Sequence, residues 1–135
     1  MKKIFIRILQ ISAITTICSF STMATAQISE SIAGCSIDSF VQGTENNQIN
    51  TTGMAYTPKC LKIKVGATVT IQANSRHPLL AMPDINKAIN PFSTNSSYTT
   101  PQTRKMNEPG LYGYFCDKHG DSSGDGMAGV IMVEL

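Results

Sequence analysis

Basic residues are scarce in this 135-residue chain, which limits the kinds of partner it can bind. Three of the eleven Lys and Arg residues, Lys2, Lys3 and Arg7, stand at the very start of the sequence. Without that start, eight basic residues remain against nine acidic ones, a formal charge of −1. Binding a phosphate backbone requires a basic surface, which this composition does not supply. The sequence therefore predicts no nucleic-acid partner.

Histidine is rarer still, since the chain contains only His77 and His119. A redox enzyme with a second metal centre would need more imidazole ligands than these two. The sequence also has no evident Met or His cluster of the kind that copper carriers expose, no internal repeat and no low-complexity tract. The histidines therefore do not suffice for a second metal centre of this kind, and we expect the protein not to be an enzyme.

The first 26 residues have the pattern of a cleaved signal peptide. After the positive start, Ile4–Phe20 is largely apolar, and Ala24-Thr25-Ala26 offers small residues for cleavage. The apolar run is short and interrupted by polar residues, which suits a signal better than a permanent membrane span. We therefore predict a signal peptide over residues 1–26, one domain over residues 27–135, a periplasmic or secreted location, and no membrane anchor.

Three cysteines remain in the predicted mature chain, and they would lie in an oxidising compartment. Cys35 and Cys60 could close a loop of about 26 residues, which would contribute about 3 kcal/mol in the chain-entropy model. Cys116 would then be left over, either as a buried thiol that behaves like a small apolar residue or as a reactive or metal-binding group.

Short apolar alternations indicate strands rather than helices. Leu61–Val65 and Val69–Ala73 alternate around Gly66 and predict a hairpin with one buried face. Leu111–Cys116 alternates again after a Pro-Gly turn, and Met127–Leu135 is a β-branched, apolar closing strand. Strands at this spacing predict an all-β domain, an antiparallel sandwich or barrel. Between the second and third of these strands, Pro78–Asn95 is expected to be a surface connection with a helical turn near Ile85–Ala88.

Four side chains with metal-binding atoms fall at the ends of these strands. Cys116 ends the penultimate strand, His119 follows in the predicted loop, and Met127 begins the last strand. His77 follows the strand Val69–Ala73. Two imidazoles, one thiolate and a weak thioether form the trigonal His₂Cys set with a long axial Met that favours copper in one-electron transfer. We therefore predict His77, Cys116, His119 and Met127 as the ligands of one copper ion.

Three segments resemble the cupredoxins, especially the plastocyanin and pseudoazurin group: YTPKCLKIKVGATVTIQANSRHP, PGLYGYFCDKHG and GMAGVIMVEL. The resemblance covers most of Met54–Leu135. It implies a Greek-key β-sandwich with one type 1 blue copper, and Cys35 with Cys60 looks like the disulfide of azurin. It further implies a monomer that carries single electrons between redox proteins such as cytochromes or copper enzymes. The alternative is a copper-binding or copper-delivery protein without an electron-transfer role.

The sequence departs from the family pattern in the last ligand loop. Plastocyanin-like loops have four residues between the second histidine and the methionine, whereas seven separate His119 from Met127. A Gly-rich segment could bulge outward while both ligands still reach the metal. Met82, five residues after His77, is the alternative axial ligand.

A second departure concerns the hydrogen bonds to the copper-bound sulfur. In plastocyanin-like relatives the residue after the first histidine donates its backbone N–H to this sulfur, but here that residue is Pro78, which has none. We expect the N–H of Lys118 to donate to Cys116 instead, and so to favour Cu(I).

Overall fold

The computed structural model describes residues 31–83, 85 and 89–135. The predicted signal peptide, residues 1–26, lies outside these described residues. The predicted helical turn at Ile85–Ala88 also lies outside them, apart from Ile85 itself, which is part of a bend. No helix in the described part of the chain is both long and apolar enough to cross a membrane.

Two β-sheets form the fold, and one short 3₁₀ turn precedes them at Ile37–Ser39. One sheet has the strand order β1-β4-β9-β8-β6, and the other has the order β3-β2-β5-β7. The strands are β1 Val41–Gln42, β2 Asn46–Thr52, β3 Ala55–Thr57, β4 Cys60–Lys64, β5 Thr68–Ile71, β6 Leu79–Ala81, β7 Gln102–Lys105, β8 Gly110–Gly120 and β9 Gly126–Glu134. This arrangement confirms the predicted all-β, Greek-key sandwich.

The predicted hairpin around Gly66 is wrong, because its two strands lie in different sheets. β4 pairs with β9, and β5 pairs with β2 and β7. The chain crosses from one sheet to the other at this turn, so Leu61 and Ile63 in one sheet and Val69 and Ile71 in the other enter the same core. Alternation correctly located both strands and their buried faces, but it cannot determine which partner a strand pairs with.

The sheets are mixed rather than purely antiparallel, which corrects a second expectation. β4 is parallel to both β1 and β9, and β2 is parallel to β5. The antiparallel pairs are β2 with β3, β5 with β7, β6 with β8 and β8 with β9. Strands that neighbour one another along the chain often switch sheets in this fold, and parallel pairing between sequence-distant strands is the result.

The predicted surface connection Pro78–Asn95 contains a buried strand. β6 pairs with β8 in the register Leu79↔Cys116, Leu80↔Phe115 and Ala81↔Tyr114. Leu79 and Ala81 are fully buried. The three prolines of the segment concealed this strand, because proline is a signal for loops and turns. The pairing matters for function, since it places the end of the His77 segment beside Cys116.

The core consists of two clusters on opposite faces of the five-stranded sheet. The larger cluster fills the space between the sheets and includes Tyr56, Tyr114, Cys116 and Met127. Tyr114 packs edge-on against Tyr56, with ring centroids 4.9 Å apart, and its hydroxyl donates to the carbonyl of Lys59. The smaller cluster surrounds the Cys35–Cys60 disulfide, which confirms the expected pairing.

Candidate metal centre

Three of the predicted ligands meet at one end of the sandwich. The ligand atoms of His77, Cys116 and His119 all lie within 4.8 Å of one another. Cys116 Sγ is 3.9 Å from His77 Nδ1 and 3.4 Å from His119 Nδ1. His77 and Cys116 are buried, whereas His119 is partly exposed. The two imidazoles and the thiol therefore form a compact set of donors with one member at the surface.

The spacing of these donor atoms fits a metal ion in their centre. Bonds of about 2.0 Å to nitrogen and about 2.3 Å to sulfur, as at zinc sites, place the two donors about 3.5 Å apart at a tetrahedral angle and about 3.7 Å apart at a trigonal one. The sulfur–nitrogen separations of 3.4 and 3.9 Å lie on either side of these values. A neutral imidazole pair with one cysteine sulfur is also the donor set that copper prefers.

An asparagine turn holds His77 in place. The side-chain Oδ1 of Asn74 accepts hydrogen bonds from the backbone N–H groups of Arg76 and His77, at 2.9 and 3.0 Å. The backbones of Asn74 and His77 also exchange hydrogen bonds. Asparagine commonly organises a turn in this way, so its position three residues before His77 was the available signal.

A β-bulge allows Cys116 and His119 to face the same site. Side chains three residues apart in a regular strand point to opposite faces of the sheet. Between the pairs Phe115↔Ala128 and Gly120↔Gly126, β8 advances five residues while β9 advances two. The extra residues turn His119 towards Cys116, which is a known use of bulges beside functional sites. His119 therefore lies within β8, inside this bulged stretch, and not in the loop where the sequence had suggested it.

The seven residues between His119 and Met127 form a hydrogen-bonded turn at the tip of the β8–β9 hairpin. Gly120 pairs with Gly126, so the β8–β9 hairpin continues beyond both predicted ligands. Asp121 closes the turn, because its carboxylate accepts hydrogen bonds from the backbone N–H groups of Ser123 and Asp125 and from the Ser123 hydroxyl. These hydrogen bonds, first of all the one from the Ser123 hydroxyl, lower the pKa of Asp121. The added residues thus extend the tip of the hairpin without separating His119 from Met127.

Gly126 makes this close approach possible. Its φ of +71° lies in the left-handed region, and a Cβ at this position would be 2.3 Å from the carbonyl oxygen of His119. The backbones on either side of the turn are therefore in direct contact where the predicted ligands stand. A residue with a side chain could not occupy this position without moving one strand away from the other.

Met127 and Met82 occupy different faces of the five-stranded sheet. Met127 is buried in the same cluster as Cys116. Met82 belongs to the disulfide cluster and lies against Gly113, where an added Cβ would be 2.4 Å from the Met82 sulfur. Because successive residues of β8 alternate between faces, Gly113 points away from the side that carries Cys116. The structure thus contradicts Met82 as the alternative axial ligand, while ligation by Met127 stays a prediction.

The electrostatics of the site favour neutral histidine. Burial lowers the pKa of His77, and the charges of His119, Arg76 and Lys118 lower it further. A depressed pKa keeps the imidazole unprotonated at neutral pH, which is the form that binds a metal. The site thus combines the buried, unprotonated imidazole of His77 with positive charge at its rim, where the Lys118 ammonium donates a hydrogen bond to the carbonyl of Ser75.

The expected hydrogen bond from Lys118 N–H to Cys116 does not form within residues 31–83, 85 and 89–135. Within these residues, the hydrogen-bond partners of Cys116 Sγ are the two histidine rings. The neighbouring Asp117 N–H donates to the carbonyl of Pro78 at 2.9 Å. The bulge therefore uses this amide to fix β8 against the His77 segment.

Tyr56, the first residue of the cupredoxin-like segment YTPKCLKIKVGATVTIQANSRHP, is buried in the same cluster as Cys116. Its hydroxyl is buried and, within the described part of the chain, has no hydrogen-bond partner. Burial raises the pKa of Tyr56 far above its ordinary value, and the charge of Cys116 adds to this effect. Tyr56 is therefore a neutral phenol beside the metal centre, and its unpaired hydroxyl should reduce the stability of the fold.

The fold and the donor set define a metalloprotein with a single buried metal site in a β-sandwich. The model of the family "Copper binding proteins, plastocyanin/azurin family" matches residues 43–134. The chain therefore belongs to this family, the cupredoxins, and copper is its cofactor, bound at one site. A comparison with curated protein sequences finds no match.

Solved structures show the same fold at low sequence identity. The chain matches a Cu-containing nitrite reductase from Thermus scotoductus SA-01 with 18% identity and a TM-score of 0.53, covering 73% of this chain and 28% of that one. It therefore spans little more than a quarter of the enzyme. A pseudoazurin from Sinorhizobium meliloti matches with 21% identity and a TM-score of 0.51, covering 70% of this chain and 76% of that one. A pseudoazurin from Methylobacterium extorquens AM1 matches with 14% identity and a TM-score of 0.50, covering 65% and 74%.

Proposed function

We propose that the protein carries single electrons between redox partners, with copper held by His77, Cys116, His119 and Met127. The partners would be redox proteins such as cytochromes or copper enzymes. The predicted signal peptide over residues 1–26 would direct the domain of residues 27–135 to the periplasm or outside the cell.

The proposal rests on one observation: the donor atoms of His77, Cys116 and His119 lie close together, on backbone segments that hydrogen bonds hold in place. The Asn74 turn fixes His77, the bulge in β8 fixes Cys116 and His119, and the Gly120↔Gly126 pair fixes the start of β9. Copper supplies one-electron chemistry by alternating between Cu(I) and Cu(II). A site whose ligands do not move between these states requires little reorganisation, which is the requirement for fast electron transfer.

The partial exposure of His119 supports this residue as the point at which the electron enters and leaves the protein. His77 and Cys116 are buried, so His119 is the predicted ligand through which a docked partner could couple most directly to the metal. Charged groups lie near the site: the charges of Arg76 and Lys118 act on His77, and Asp121 follows His119 by two residues. Such groups can orient a partner during its approach.

An electrochemical experiment distinguishes electron transfer from copper delivery. The copper-loaded mature domain should give a reversible one-electron wave and keep its copper over many cycles in the presence of a Cu(I) chelator. A matched Cys116→Ser sample should give no comparable wave. Loss of copper to the chelator at each reduction would contradict the proposal and favour the delivery role.

The same sample also tests the proposal that the protein is not an enzyme. We expect no turnover of nitrite by the copper-loaded domain with a reduced electron donor, because the chain has only two histidines and both belong to the proposed site. Steady nitrite consumption would contradict this part of the proposal.

A further inference from the structure

The turn Ile32–Cys35, together with the Cys35–Cys60 disulfide, forms a structure that we call the N-terminal brace. The backbones of Ile32 and Cys35 exchange two hydrogen bonds, at 2.8 and 3.3 Å. Ala33 and Gly34, between them, both have left-handed backbones, with φ values of 52° and 70°. A left-handed alanine is unfavourable and persists only where the surroundings hold it. The brace is therefore a defined turn that its contacts maintain.

The brace contacts the tip of the turn that follows His119. Gly124 is buried, although its neighbours Ser123 and Asp125 are exposed. A Cβ added to Gly124 would be 2.9 Å from Ala33 Cα, 3.0 Å from its nitrogen and 3.1 Å from its Cβ. Ala33 is itself buried. The backbone of the hairpin tip thus lies directly on the backbone of the brace.

A second path connects the brace to the strand that begins with Met127. The disulfide links Cys35 to Cys60, and Cys60 pairs with Val130 in β9. The Val130 N–H also donates to the carbonyl of Lys59 at 3.0 Å. Gly124 and Val130 lie on either side of Met127 along the chain, three residues from it in each direction. The segment that carries Met127 is therefore held to the same brace from both sides.

From this closed arrangement we propose that the N-terminal brace positions the last ligand loop, so that Ala33 and the Cys35–Cys60 disulfide maintain the geometry and retention of the copper. The proposal rests on the proposed function, because it assigns the brace to the same copper site. It gives the disulfide a role beyond general stability. It also explains how a loop longer than its plastocyanin-like counterparts keeps a fixed end.

Two glycines with nearly equal backbones provide a matched test. Gly124 has φ +94° and lies on Ala33, whereas Gly66 has φ +91° and has no atom within 4 Å of an added Cβ. Gly124→Ala and Gly66→Ala therefore introduce similar backbone strain, but the first alone displaces the brace. The double variant Cys35→Ser/Cys60→Ser removes the covalent link without adding volume at the loop.

The measurements are copper release to a chelator and the electron paramagnetic resonance spectrum of the copper-loaded mature domain, with urea unfolding of the metal-free forms as the control for stability. Gly124→Ala and the double variant should release copper at least about tenfold faster than Gly66→Ala, a factor that corresponds to about 1.4 kcal/mol in the activation free energy of release. Their spectra should change, and Gly66→Ala should match the wild type.

The outcomes distinguish a failure of the brace proposal from a failure of the proposed function. If wild type and Gly66→Ala bind copper with the expected spectrum while Gly124→Ala and the double variant match them in release and spectrum, the brace is refuted and the proposed function stands. If wild type itself binds no copper, the proposed function fails first. Should Gly124→Ala not fold, the double variant alone decides the result.

Discussion

Replacing Gly126 by alanine should damage both the fold and the metal site, because this glycine lies where β8 and β9 touch beside the predicted ligands. The new Cβ would be 2.3 Å from the carbonyl oxygen of His119 and 3.1 Å from Gly120 Cα. Both neighbours are backbone atoms of the adjacent strand, so no side chain can rotate away to make room. The strands would have to separate by about 1 Å to reach an ordinary van der Waals distance.

Two separate effects lower the free energy of unfolding of Gly126→Ala. A left-handed backbone costs a residue with a Cβ about 1–2 kcal/mol, and Gly126 has a φ of +71°. Forcing extra volume into a packed site costs about 1–3 kcal/mol more. We therefore expect Gly126→Ala to lower the free energy of unfolding by about 2–5 kcal/mol. The separation of the strands should also move His119 relative to Met127 and broaden the spectrum of the bound copper.

Gly53 provides the matched control in the turn between β2 and β3. Its φ is +59°, and an added Cβ would have no atom within 4 Å. Gly53→Ala should therefore lose about 1–2 kcal/mol through backbone strain alone and leave the copper spectrum unchanged. Urea unfolding of the metal-free proteins measures the first effect, and visible absorption of the copper-loaded proteins measures the second. Equal losses of stability and an unchanged spectrum in Gly126→Ala would refute the close packing of the two strands at the site.

Four further predictions address individual residues. Cys116→Ser should abolish the intense visible band and leave the circular dichroism of the sandwich intact, because the thiolate is its source; a retained band would exclude Cys116 as ligand. Met127→Leu should keep the colour and raise the reduction potential, since loss of a weak donor favours Cu(I); an unchanged potential and spectrum would mean that Met127 does not contact the metal. Tyr56→Phe should raise the free energy of unfolding by about 1 kcal/mol in urea titrations, because it removes an unpaired buried hydroxyl; a loss of stability would show that this hydroxyl has a partner. The metal-free protein should lose stability as the pH falls below 6.5, the ordinary pKa of histidine, because the pKa of His77 is lower in the folded protein and the unfolded chain then binds the proton more readily. His77→Gln should reduce this pH dependence of the free energy of unfolding. An unaltered pH profile in His77→Gln would contradict the assignment to His77.

Local patterns in the sequence correctly located the last two strands, but they missed β6 and β7 before them. Leu111–Cys116 and Met127–Leu135 correspond to β8 and β9, although both strands are buried continuously rather than on alternate residues, from Tyr112 to Cys116 and from Met127 to Val133. Such patterns depend on which residues face water, and a single strand reveals this by itself. They could not reveal that β4 and β5 lie in different sheets, because pairing between distant strands is decided by the packing of the whole domain.

The candidate site could likewise be predicted in part: its residue types were evident from the sequence, but its geometry was not. The residue types of His77, Cys116 and His119 already indicated copper, since few other roles require this set of donors. The means by which they meet could not be anticipated. A regular strand would have placed Cys116 and His119 on opposite faces, and the register shift that corrects this arises from the pairing of β8 with β9. The contact between Ala33 and Gly124 likewise joins segments about 90 residues apart, which no local pattern encodes.

A titration of the purified mature domain with Cu(II), followed by visible absorption, tests directly whether the protein binds one copper through Cys116. We expect an intense blue colour from thiolate-to-copper charge transfer that saturates at one copper per chain and bleaches reversibly with a mild reductant. A colourless protein at one equivalent of copper, or a colour that persists unchanged in Cys116→Ser, would contradict this expectation.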